Sequence, residues 1–200
     1  MNWTILGVLI IAWIYILSVF KRKNLSFFYF LVGSVGLFVF LFVILEPIAT
    51  APLAKLVCSL TGLVGEATGI FTAYSSYGIL FIENVVGGPV SLYIDFECAG
   101  LVEILVYVSL LLFFTAYSWY EKIGVGFLGI LAILAANVLR LTAICIMIYI
   151  GGNEIYYLAH TIVGRLLFCF FAIMIYFYVF TRRQIKQQRV GEFSYNEKVD

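Results

Sequence analysis

Cys98, Arg140 and His160 are the residues whose types combine into a reaction. A thiol is a weak nucleophile until a neighbouring base or cation generates the thiolate. A histidine within hydrogen-bonding reach removes that proton and can return it to a leaving amine. An arginine beside them stabilises the thiolate or the oxyanion of a tetrahedral intermediate. His160 is the one histidine of the chain, and Cys98 stands apart from Cys58, Cys145 and Cys169 by following Asp95-Phe96-Glu97 and preceding Ala99-Gly100. Each residue also has a plainer explanation. An interfacial histidine can bond a backbone carbonyl, an arginine can snorkel to headgroups, and a cysteine is ordinarily a small hydrophobe. Brought together, the three would form a cysteine nucleophile with its base and its anion stabiliser.

The elements that must position them are membrane helices. The chain has 200 residues, 64% hydrophobic and 12% charged, with a mean hydropathy of +1.09. Soluble domains are about 45–50% apolar and about 25% charged. The excess must face lipid, which excludes a soluble domain, a disordered chain, a nucleic-acid binder and a secreted disulfide scaffold. The fold class expected is an all-α polytopic membrane protein, a single membrane domain over residues 1–181 with a polar tail at 182–200. Runs long enough to cross ~30 Å of hydrocarbon at about 20 residues each lie at 3–20, 27–45, 101–119, 123–150 and 157–180, giving five transmembrane helices. The first run has no basic segment before it and no small-residue cleavage site, so it reads as a retained helix and not a signal peptide.

Charge placement sets the topology. Lys21, Arg22, Lys23, Lys122, Arg182, Arg183, Lys186, Arg189 and Lys198 are nine of the twelve basic residues, and alternate loops collect them. Under the positive-inside rule those loops are cytoplasmic, leaving the N-terminus, residues 46–100 and residues 151–156 outside. The external segment is too apolar for a free loop. Pro52 to Phe71 reads as an interfacial helix. Tyr77–Val86 and Pro89–Glu97, flanking Gly87-Gly88, read as a β-hairpin, with Val90, Leu92, Ile94 and Phe96 alternating against Ser91, Tyr93 and Asp95. The hairpin delivers the chain to Cys98 at the mouth of the third span.

Depth then groups the polar residues. At 1.5 Å per residue from Ile123, Arg140 lies ~25 Å up its span, at the outer level of Cys98 and His160. Asn137 shares its helical face. Glu103 and Arg165 each lie five residues beyond Cys98 and His160, ~7.5 Å further in, and the economical arrangement of two charges in lipid is an ion pair. Gly164, one turn below His160, suits close helix approach.

At these residues the sequence resembles the exosortase/archaeosortase family. The matching pieces are Glu97-Cys98-Ala99-Gly100, Asn137-Val138-Leu139-Arg140, and His160-x3-Gly164-x3-Phe168, in order across about residues 45–180. The size resembles the short Gram-positive subgroup, and Ala99 stands where serine is common. The resemblance implies a cysteine peptidase or transpeptidase that processes C-terminal sorting signals of exported proteins at the outer face. Cys98 would be the nucleophile, His160 the acid/base and Arg140 the stabiliser. Asn137 and Gly164 stand in the matching motifs as supporting residues, and Glu103 and Arg165 are supporting residues on their spacing alone. The partners implied are a membrane-anchored protein substrate, the bilayer, and a glycolipid or cell-envelope amine as acceptor, with no nucleic acid. No metal or organic cofactor is expected, since one histidine and scattered carboxylates make no ligand set. Two rival expectations remain. One is a non-catalytic membrane transport or export subunit. The other is a quinone-coupled thiol oxidoreductase, which would need Cys58 and Cys98 as its external pair.

Overall fold

A computed structural model describes residues 3–83 and 88–188. Helix α1, Trp3–Arg22, closes on Lys21 and Arg22. Asn24, in the left-handed region at φ 55°, turns the chain into α2. This second helix runs unbroken over Ser26–Thr68, ~64 Å at 1.5 Å per residue. It passes through Pro47 and Pro52, so the expected break at Glu46-Pro47 does not occur. The separate interfacial helix expected at Pro52–Phe71 is the distal half of this same rod. Proline costs a helix one donor and a steric clash, and hydroxyl side chains and neighbouring helices make it tolerable in membrane helices. The Thr50 hydroxyl between them donates to the Glu46 carbonyl at 2.6 Å, whereas the carbonyls that the two rings leave without a helical donor are those of Val43 and Ile48. The helix ends where Gly69, at φ 68°, donates its N–H to the Gly65 carbonyl.

Three antiparallel strands follow in the order β1 (Thr72–Tyr74), β2 (Ile79–Ile82) and β3 (Val90–Tyr93). Leu80 pairs with Leu92 and Phe81 with Ser91. Val90, Leu92 and Ile94 are buried and Ser91 and Tyr93 exposed, the period-two alternation read from the sequence. The β2–β3 pair is the expected hairpin, although Gly87 of its Gly-Gly turn lies outside the described residues. Strand β1 was not expected, and Tyr77-Gly78 forms the turn that brings it back, with Gly78 at φ 67°.

The remaining helices are α3 (Phe96–Ala99), α4 (Leu101–Phe113) and α5 (Trp119–Gly151). A last helical rod then begins with a 3-10 turn, Asn153–Ile155, and a π-helical turn, Leu158–Val163. It continues as α6 (Gly164–Tyr176), a second π-helical turn (Phe177–Thr181) and α7 (Arg182–Gln188). The start of the expected tail is thus helical, and residues 189–200 lie outside the described ones. Among the described residues, three helical segments are long and apolar enough to cross a membrane: Ser26–Thr68, Trp119–Gly151 and Asn153–Ile185. The third expected span, 101–119, is only 13 helical residues, ~20 Å, too short to cross alone. The fourth is one unbroken helix through Arg140.

Two apolar cores stack along the bundle. The first joins the sheet (Leu80, Leu92, Ile94) to Val57 of α2 and Leu141 and Ile148 of α5. The second packs Tyr107 and Leu111 of α4 against Ile133 and Ala136 of α5 and Phe168 of α6. Basic residues gather beyond the second core. Arg183 pairs with Glu121 at 2.8 Å, Lys122 donates to the Leu112 carbonyl at 2.6 Å, and Lys21 lines a cavity with Phe113 and Gln184. Cys98 and Arg140 lie at the other side of that core, where it meets the first.

Candidate active site

The chain enters the site through Asp95. Its carboxylate accepts the backbone N–H of Cys98 at 2.8 Å and caps α3, a short helix that carries the thiol. Gly100, at φ 80°, then swings the backbone into α4. A Cβ at Gly100 would stand 3.3 Å from the Asn137 amide nitrogen. The close approach lets the fully buried Asn137 donate to the Cys98 carbonyl at 2.6 Å. Asp95 and Asn137 thereby hold the peptide units of Cys98 from two directions.

Two further elements converge on the Cys98 sulfur. From α5, Arg140 Nη2 donates to Sγ at 3.3 Å. From the last rod, His160 Nε2 lies 3.4 Å from Sγ. Arg140 is buried, with its guanidinium carbon 5.3 Å from the centre of the Phe168 ring, a cation–π contact that orients it. His160 lies within the π-helical turn 158–163, a distortion that marks functional sites in many helices. The Tyr156 ring stacks parallel to the imidazole, centroids 5.7 Å apart and planes 1° from coplanar. Burial chiefly lifts the Cys98 thiol, to about 11. Arg140 pulls against that rise and Asp95 adds to it. The resting group is therefore a neutral thiol, and a reaction through it needs a base in contact, which the His160 geometry offers.

The three residues line one cavity of about 400 Å³ with Glu97, Glu103, Arg165 and Phe168. Of the residues singled out from the sequence, Cys98, Asn137, Arg140 and His160 are brought into direct contact. Gly164 packs the last rod against α5, since a Cβ there would meet Ile144 Cδ1 at 2.8 Å. Arg165 stands 4.0 Å from Glu97, with both side chains well exposed, and no Glu103–Arg165 ion pair is present among the described residues. The bend at Gly100 and the π-helical turn before Gly164 change which way those side chains face. Asp95 and Tyr156 were not singled out from the sequence. A capping acid before a short helix has a recognisable pattern, but the Tyr156 stack depends on tertiary placement.

The family model for transmembrane exosortases matches residues 2–177. The chain belongs to the transmembrane exosortase family. It is accordingly a multi-pass membrane protein, in keeping with its long apolar helices. No match was found among curated proteins or among solved structures. The region matched by the exosortase model contains Asp95, Cys98, Asn137, Arg140, Tyr156 and His160.

Proposed function

We propose that this exosortase-family chain is a membrane-embedded cysteine peptidase or transpeptidase that processes C-terminal sorting signals of exported, membrane-anchored proteins. The supporting observation is the Cys98 Sγ held 3.4 Å from His160 Nε2 and 3.3 Å from Arg140 Nη2, on one cavity. In the first step Sγ attacks the scissile carbonyl as its proton passes to His160 Nε2. The C–S bond forms, and Arg140 stabilises the developing oxyanion. Collapse breaks the C–N bond, and His160 protonates the departing amine, leaving a thioester on Cys98. An incoming amine or water then attacks the thioester, gives its proton to His160, and releases the product with the thiol restored. The basic residues beyond the second core favour the cytoplasm for that end under the positive-inside rule, which supports a reaction on the outer side. A substrate anchored by its own helix reaches the cavity from within the bilayer.

The test is to compare C-terminal peptides of exported membrane-anchored proteins in cells carrying the wild type and Cys98→Ala. At least one such protein should retain its C-terminal anchor in the variant. Identical C-termini in both strains, with the variant protein present at normal level, would refute catalysis and return the chain to a transport or export subunit.

A further inference from the structure

The chemistry above leaves two polar atoms of the cavity unused. Glu103 Oε2 and Arg140 Nε are buried and have no hydrogen-bond partner among the described residues. Both residues line the cavity that contains Cys98 and His160. Buried polar atoms in native proteins nearly always have partners, and leaving one without is costly. Arg165, the cation expected to satisfy Glu103, stands against Glu97, and Arg140 attracts the Glu103 carboxylate without a hydrogen bond to it. One orphan acceptor and one orphan donor on the same cavity complement a ligand that carries a donor and an acceptor side by side. A carboxylate would satisfy Arg140 and be repelled by Glu103, and an ammonium would do the reverse. A peptide backbone supplies both groups.

We propose that Glu103 determines specificity by accepting the backbone N–H of the substrate residue whose carbonyl is attacked, while Arg140 holds the neighbouring carbonyl. This rests on the cysteine-peptidase reading and adds a subsite to it. Glu103 suits the role because it sits in the first turn of α4, directly after the Gly100 bend that positions the thiol. The site then selects a secondary amide at the nucleophile and disfavours any ligand whose backbone nitrogen carries no hydrogen.

The experiment uses the full chain purified in detergent and two acetyl-dipeptidyl vinyl sulfones. They differ only in methylation of the amide nitrogen nearest the reactive group, and labelling of Cys98 is followed by mass spectrometry. In the wild type the unmethylated probe should label about tenfold faster or more, as for a lost hydrogen bond to a charged group. Glu103→Leu should bring the two probes within about twofold, and Glu103→Gln, which keeps an acceptor oxygen, should preserve part of the preference. Equal rates in the wild type overturn the proposal, as does a preference that survives Glu103→Leu. The wild-type pair and Glu103→Gln decide the matter if Glu103→Leu does not fold. Cys98 that resists both probes, or whose labelling is unchanged in His160→Gln, instead defeats the peptidase reading itself. Labelling that depends on His160 but ignores methylation defeats only the role of Glu103.

Discussion

A neutral resting thiol has a measurable signature in the pH dependence of simple alkylation. Burial lifts Cys98 to about 11 against the pull of Arg140, whereas a free cysteine titrates near ~8.5. The thiolate population at pH 7 is then on the order of 10⁻⁴, against roughly 3% for a free cysteine. That difference favours the thiol by on the order of 3 kcal/mol. A small haloacetamide reacts with the thiolate, so its rate on Cys98 reports this population. The assay alkylates the purified protein with iodoacetamide between pH 7 and 10 and follows the Cys98 peptide by mass spectrometry. The logarithm of the rate should climb by about one per pH unit across the whole range, without a plateau. Arg140→Gln removes the main influence that lowers the thiol, so it should slow alkylation at every pH in that range. A plateau at or below pH 8 would show a standing thiolate–imidazolium pair and refute the argument that the proton moves only as the substrate is attacked.

Two structural predictions concern the supports of the site. Asn137→Leu removes the 2.6 Å bond to the Cys98 carbonyl and strands a buried acceptor, and should destabilise the protein by about 1–3 kcal/mol, read as a lower thermal midpoint in detergent. Gly129→Val places side-chain atoms where the Tyr107 ring and hydroxyl lie. It should disturb the Tyr107–Val125 hydrogen bond and cost about 1–3 kcal/mol by overpacking. Tyr107→Leu in the same chain should recover part of the loss.

The convergence of Cys98, His160 and Arg140 was legible because each stands out against an apolar background. Cys98, Arg140 and His160 were grouped by counting residues along helices, and that arithmetic needs only depth. It carries no information about azimuth, which is why Arg165 faces Glu97 instead of Glu103. The π-helical turn around His160 ends at Gly164, which packs closely on Ile144, and no local pattern marked that turn. Prolines misled the reading of α2, because Pro47 and Pro52 would be expected to end a helix, yet the rod runs through both with the two rings exposed. The alternation in β3 was readable since one face of the strand is buried, whereas β1 is three residues long and its ends are exposed.

The three-way origin of the site also bears on how the protein is made. Chains emerge N-terminus first at about 5–20 residues per second. The thiol precedes its base by 62 residues, so for roughly 3–12 s of synthesis the nascent protein carries Cys98 without His160. Over that interval Asp95 can already cap the short helix, yet no imidazole is there to take the proton. On the cysteine-peptidase proposal the newborn chain would be chemically silent while it is still being inserted, and competence would arrive only when its final helical rod docks. A chain arrested before that rod would then be a membrane passenger, not an unregulated protease.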